Sequence, residues 1–65
     1  MVEDPAGAEA LKQQGNTELK AGNFDKAIEL YTEAIGLHRT EAILSNRAVA
    51  YISKRQFKEA LHDVE

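Results

Sequence analysis

Residues 24–31 read FDKAIELY, and residues 57–64 read FKEALHDV. The two stretches lie 33 residues apart, and they keep Phe opposite Phe and Ala opposite Ala, with Ile28 opposite Leu61. Three further pairs share this offset and a similar side-chain size: Leu11 and Leu44, Gly15 and Ala48, and Leu19 and Ile52. A fixed period of this length is typical of stacked helical repeats, in which one unit cannot bury its apolar face alone.

Length and composition describe one small domain. The 65 residues carry 11 acidic and 8 basic side chains, a net charge of −3, which argues against a general nucleic-acid binder. There is no cysteine, so disulfides and thiolate metal sites are excluded, and with only two histidines we expect no metal and no cofactor. No apolar run approaches the length of a membrane span, so we expect a cytoplasmic protein without membrane contact.

Apolar spacing predicts four helices and no strand. Leu11 and Leu19 flank Gly15 at four-residue intervals, which places all three on one helix face. Gly22-Asn23 ends this helix, because either residue readily takes the left-handed conformation. The predicted helices are one that begins between Pro5 and Glu9 and ends near Lys20, one over 24–37, one over 41–53 capped by Thr40, and one from Phe57 onward, after a turn at 54–56.

Packing within these helix pairs is expected to depend on small residues. A glycine inside a helix costs about 1 kcal/mol relative to alanine, so we expect Gly15 to allow close approach of the paired helix rather than to be a tolerated surface glycine. The four aromatic residues, Phe24, Tyr31, Tyr51 and Phe57, are predicted to lie in the core.

The order of these residues resembles the tetratricopeptide repeat. The matching positions are Leu11, Gly15, Ala27, Tyr31 and Ala34, and then Leu44, Ala48, Tyr51 and Ala60. Departures occur at Gln14, Glu18 and Arg39. The resemblance implies an all-α fold, a right-handed stack of antiparallel helix pairs. It divides the chain into a flexible tail (1–7), a first repeat (8–40) and a second repeat (41–65) that is truncated within its second helix, so that one and a half to two repeats and four helices are expected.

A narrower resemblance is carried by residues 11–16, LKQQGN, and residues 45–48, SNRA. They are similar to the co-chaperone class of this family, whose groove clamps the C-terminal Glu-Glu-Val-Asp tail of the cytosolic heat-shock protein 90 and 70 chaperones. The positions that match the carboxylate clamp are Lys12, Asn16 and Asn46. The remaining clamp lysine and arginine of the class come from a third repeat, which this sequence lacks.

The chemistry of these three residues suits an anionic ligand. Lys12 and Asn16 are four residues apart, so they lie one above the other on a helix face. Lysine brings a positive charge with three donors, and each asparagine amide brings two donors. Taken singly, each of the three also suits a solvated surface position, so the clamp interpretation depends on the resemblance.

The function expected is therefore peptide binding by a co-chaperone module, and not enzyme catalysis. His38 and His62 have no nucleophile beside them in a recognisable arrangement, and Lys54, Arg55 and Lys58 are expected to be a solvated basic turn. The alternative is an assembly module that self-associates through Phe57, Leu61 and Val64, which no following repeat covers. Because the second repeat stops early, we expect the chain to be a fragment of a longer protein.

Overall fold

Three α-helices make up the part of the chain that the structure describes. The computed structural model describes the backbone of residues 3–64 and the side chains of residues 3–56. The helices are α1 (Pro5–Lys20), α2 (Phe24–Leu37) and α3 (Glu41–Val64), and the described part contains no strand. Helix α1 packs antiparallel to α2, and α2 packs in turn against the N-terminal part of α3. The all-α prediction is confirmed, whereas the prediction of four helices is wrong.

Helices α1 and α3 begin at residues that cap their free backbone N–H groups. The Asp4 carboxylate accepts a hydrogen bond from the Gly7 amide at 2.9 Å, and Pro5 occupies the first helical position. Residues 5–7, which the sequence assigns to a tail, are therefore the first turn of α1. Thr40 caps α3 as predicted, because its hydroxyl accepts from the Ile43 amide at 3.2 Å.

The turn after α1 reverses the chain through a glycine. Gly22 has φ +85°, a conformation that side chains other than hydrogen disfavour. The Asn23 amide donates to the Glu18 carbonyl at 2.9 Å and the Gly22 amide donates to the Leu19 carbonyl at 3.1 Å. This pair of hydrogen bonds is the Schellman motif, which satisfies carbonyls at the helix end. Helix α2 can therefore turn back along α1.

No such turn occurs at residues 54–56, where α3 continues without a break. The 33-residue offset places Arg55 opposite Gly22 and Gln56 opposite Asn23. Arginine and glutamine are good helix formers, and neither favours the left-handed conformation that the first turn needs. The predicted fourth helix, from Phe57, is thus the second half of α3.

The core lies between α1 and α2 and continues to one face of α3. Gly15 is buried against the ring of Tyr31, which has no solvent exposure; a Cβ at position 15 would lie 2.5 Å from Tyr31 Cε1. The predicted close approach at Gly15 is therefore confirmed. The buried apolar residues are Ala8, Ala27, Leu30, Tyr31, Ala34, Ile43 and Ala50.

The part of the second repeat whose side chains are described, residues 41–56, does not reproduce this core. Tyr51 is 52% exposed and Ala48 is exposed, although their counterparts in the first repeat are buried or partly buried. The prediction that Tyr51 is a core aromatic is wrong, because the continuous α3 leaves this face without a covering helix. Phe24 is half-buried. The side chains of Phe57, Leu61 and Val64, predicted as a contact surface, lie outside the described residues.

The two ends of the first helix pair meet. The Asp4 amide donates to the Leu37 carbonyl at 3.0 Å, and His38 Nδ1 lies 3.0 Å from a carboxylate oxygen of Glu3. His38 is the C-cap of α2, in keeping with its predicted place at a helix end. Only residues 38–40 then separate α2 from α3.

Candidate functional site

Two of the three predicted clamp residues touch. Asn16, on α1, and Asn46, on α3, are 30 residues apart in sequence, and Asn46 Nδ2 donates to Asn16 Oδ1 at 2.9 Å. The hydroxyl of Tyr31, on α2, donates to the same oxygen. Each helix thus contributes one residue to a single hydrogen-bonded group, which we call the amide cluster: Asn16, Tyr31 and Asn46.

The amide cluster orients the side chain of Asn16. Its carbonyl oxygen has two lone pairs, and the Tyr31 hydroxyl and the Asn46 amide occupy both. Within the described part of the chain, Asn16 Nδ2 makes no hydrogen bond, so its two hydrogens remain as donors at the partly exposed edge of the cluster. The position of Asn16 therefore presents donors only.

The burial of Tyr31, on α2, supports this orientation of the Asn16 side chain. Burial raises the pKa of the Tyr31 hydroxyl above its ordinary value of 10.0, so the group stays protonated at neutral pH. Because the Tyr31 ring is packed on Gly15, the position of its hydroxyl oxygen is fixed. The hydroxyl hydrogen points to Asn16 Oδ1.

Lys12, the third predicted clamp residue, lies one helical turn before Asn16 and does not join the amide cluster. Its ammonium group forms an ion pair with the Glu9 carboxylate at 3.0 Å, and only 22% of its side chain is exposed. The hydrogen bond from Lys12, with another from Gln13 at 3.2 Å, lowers the pKa of Glu9 below its ordinary 4.5. The Glu9 carboxylate is therefore already paired with the ammonium group that the clamp would use.

The arrangement provides one cation and one doubly donating amide, with an exposed carboxylate beside the cation. Such a set can donate hydrogen bonds to a group that only accepts them, and a carboxylate is the commonest group of this kind in proteins. Sequence periodicity assigns Tyr31 to the core and overlooks its hydroxyl. The sequence analysis also misses Glu9, although its three-residue spacing from Lys12 is the usual sign of a helical ion pair.

Other candidate groups have ordinary roles. Lys54 forms an ion pair with Asp25, so the expected solvated basic turn is in part a contact between α3 and the start of α2. His62 lies outside the described side chains. Among residues whose side chains are described, no cluster of three or more acidic or histidine side chains is arranged to hold a metal. No helix in the described part is both long and apolar enough to cross a membrane.

Comparison with known proteins gives relatives that match most of the chain. The chain is 45% identical over 58 residues to heat shock protein STI1 of Saccharomyces cerevisiae, and the aligned region covers 86% of the chain and 10% of the relative. It is 44% identical over 59 residues to Hsp70-Hsp90 organizing protein 1 of Arabidopsis thaliana (89% and 10%). It is 43% identical over 61 residues to human mitochondrial import receptor subunit TOM34 (92% and 20%).

The chain thus spans between a tenth and a fifth of the length of these curated relatives. No solved structure matches the chain significantly. The sequence profile of the tetratricopeptide repeat matches residues 8–40, which comprise α1 from its second turn, all of α2 and the link to α3. Because that match covers half of the chain, and because the matched helices α1 and α2 make the most extensive contacts in the fold, the chain belongs to the tetratricopeptide-repeat family.

Proposed function

We propose that the chain is a protein-interaction module of the co-chaperone type, not an enzyme. Its ligand is the acidic C-terminal tail, ending Glu-Glu-Val-Asp, of cytosolic heat-shock protein 90 or 70 chaperones. The names of two relatives, a heat shock protein and an Hsp70-Hsp90 organizing protein, support the chaperone class. Cytoplasmic localisation stays a prediction, since another relative is named as a mitochondrial import receptor subunit.

The observation that carries the proposal is the donor-only state of Asn16. Because Tyr31 and Asn46 saturate its oxygen, its free Nδ2 hydrogens suit a group that accepts two hydrogen bonds. A terminal main-chain carboxylate is such a group. In the proposed complex, Asn16 donates to this carboxylate and Asn46 holds Asn16 in place.

Lys12 supplies the charge in the proposed complex. Its ammonium group is held by Glu9 at the end of an i,i+3 pair in which Glu9 is more than half exposed. Exposed pairs of this kind are weak, so a peptide carboxylate bound by Asn16 can compete for the same ammonium. Glu9 therefore competes with the peptide for Lys12, and the peptide carboxylate either displaces the Glu9 carboxylate from the ammonium group or binds beside it.

The direct test is calorimetric titration of the 65-residue chain with a peptide ending Glu-Glu-Val-Asp. We expect binding that weakens as salt rises and disappears when the terminal carboxylate is amidated. Lys12→Ala removes a charged hydrogen-bond donor, which is worth about 1.5–3 kcal/mol, so affinity falls roughly 10- to 100-fold. Lys20→Ala, which removes an exposed lysine from the last turn of the same helix, is the matched control and changes affinity little.

Asn16→Asp separates binding from folding. The aspartate keeps an oxygen that accepts from Tyr31 and Asn46, but it replaces the outward donors by a second oxygen. We expect a folded chain, with helical circular dichroism like the wild type, that no longer binds the peptide. Equal affinity of Lys12→Ala, Asn16→Asp and the wild type would refute the clamp.

A further inference from the structure

Helix α3 carries a stripe of small and aliphatic side chains that faces away from the rest of the fold. Val49 is 49% exposed and Ile52 is 56% exposed, and Ser45 and Ala48 are also exposed. Their spacing of three, one and three residues places all four on one face of the helix. We call this group the outer stripe: Ser45, Ala48, Val49 and Ile52.

The outer stripe points away from both neighbouring helices. Ile43, which is buried against the rest of the fold, precedes Ile52 by about two and a half turns, so the two side chains lie on opposite sides of α3. Asn46 turns toward α1 and Arg47 toward α2, where each donates a hydrogen bond. The described parts of α1 and α2 therefore leave the outer stripe open to a partner.

The outer stripe is complementary in shape to a reversed copy of itself. Two α3 helices can lie antiparallel with a two-fold axis that passes between positions 48 and 49. Ile52 of each copy then lies opposite Ser45 of the other, so a large side chain meets a small one at both ends. At the centre, Ala48 and Val49 each meet their own counterparts, which suits the distance of about 8–10 Å between packed helix axes.

The same register brings opposite charges together. Glu41 precedes the outer stripe by about one turn, and Arg55 follows it by about one turn. Both are exposed and lie on the flank of the stripe that carries Ala48. The two-fold axis sets that flank of one helix against the same flank of the other, so Glu41 of each copy lies beside Arg55 of the other. Parallel helices would instead put like charges at the same level, so these charges favour the antiparallel order.

We propose that two copies of the chain associate through α3, outer stripe against outer stripe, in this antiparallel register. The contact is isologous, so it closes at two copies. It uses residues 41–56, which span about 24 Å of helix. A contact of this length lies at the small end of specific interfaces, so the association is weak and reversible. Asn16 and Asn46 take no part in it, so association and peptide binding can each fail without the other.

Sedimentation equilibrium at concentrations up to about 1 mM tests whether the pair forms. We expect the mean mass of the wild type to rise with concentration from the 7.2 kDa of one copy toward twice that value. Ile52→Glu places a charge in the outer stripe and should keep the mass at one copy. Tyr51→Glu is the matched control, because Tyr51 is 52% exposed but lies on the side of α3 that Arg47 turns toward α2. A wild type that stays at one copy overturns the proposal, as does equal association of the two variants.

Charge reversal tests the register. Glu41→Arg sets two cations beside each other at both ends of the contact and should weaken the association. Combining it with Arg55→Glu makes the neighbouring charges opposite again and should restore the association. Positions 41 and 55 are about 21 Å apart along one helix, so this rescue requires contact between copies. A double variant that associates no better than Glu41→Arg alone overturns the proposed register.

Discussion

Replacing Gly15 by alanine sets two opposing effects against each other. In the interior of α1, alanine is favoured over glycine by about 1 kcal/mol. The new Cβ, however, would lie 2.5 Å from Tyr31 Cε1, 2.8 Å from Cδ1 and 3.0 Å from Cζ. Ordinary carbon contacts are about 3.5–4.0 Å, and the Tyr31 ring is buried and hydrogen-bonded, so it has little freedom to move away.

The steric effect is expected to be the larger. Adding a methyl group to a packed core costs about 1–3 kcal/mol, which exceeds the propensity gain, so Gly15→Ala should lower the free energy of unfolding by about 1 kcal/mol. Gly36→Ala is the matched control. Position 36 is helical and exposed, and a Cβ there meets nothing within 4 Å. That variant should be more stable than the wild type by about 0.5 kcal/mol.

Urea unfolding followed by circular dichroism at the helix band measures both changes. With a slope of about 1 kcal/mol per molar urea for a chain of this size, the midpoints of the two variants should differ by about 1.5 M. Gly15→Ala should also weaken peptide binding, because a displaced Tyr31 ring carries its hydroxyl away from Asn16. A Gly15→Ala midpoint equal to or above that of Gly36→Ala would refute the packing of Tyr31 on Gly15.

Four further outcomes are expected. Glu9→Gln removes the carboxylate that holds Lys12 and should tighten peptide binding about two- to five-fold; calorimetry checks this, and weaker binding contradicts the competition between Glu9 and the ligand. Lys12, and then Gln13, lower the pKa of Glu9 below 4.5. The contribution of the Glu9 carboxylate to wild-type stability is therefore complete above pH 4.5 and is lost as the pH falls below that value. Thermal melts should show this loss of stability for the wild type and not for Glu9→Gln. In Tyr51→Phe, Tyr31 is the only tyrosine, and its ultraviolet titration should lie above pH 10.0. The raised pKa means that the folded state holds the hydroxyl proton more tightly than the unfolded state does. The free energy of unfolding should therefore decline as the pH rises above 10.0. Arg55→Gly combined with Gln56→Asn supplies the glycine and asparagine of the first turn and should end α3 at these residues. NMR chemical shifts at residues 55 and 56 should then be non-helical. Helical shifts at both residues would show that the rest of the segment dictates the continuous helix.

The sequence predicts the first helix pair well because its signals are local. Asp4-Pro5 and Thr40 mark helix starts through their own capping chemistry, and Gly22 marks a reversal through its backbone freedom. The error at residues 54–56 came from extending the repeat across a place where its own turn residues are missing. Arg55 in place of Gly22 was visible in the sequence, and its helix preference prevails in the structure.

The candidate site was only partly predictable. Nothing local in the sequence shows that Asn16 and Asn46 meet. The resemblance to the co-chaperone class names both as clamp positions, and their contact at 2.9 Å is a property of the fold. Tyr31 shows a different limit. Apolar periodicity marks which residues face the core but does not reveal what a buried hydroxyl touches, so the orientation of Asn16 required the structure.

The hydrogen bond between the Asp4 amide and the Leu37 carbonyl has a consequence for how such chains grow. A helix pair whose first and last residues touch starts and stops at nearly the same point in space. A duplicated copy can then follow after a minimal connection, and here three residues, 38–40, are enough. The 33-residue spacing in the sequence suits repetition of such a closed unit, and Arg55 and Gln56 are where the second repeat departs from the Gly22-Asn23 turn of the first.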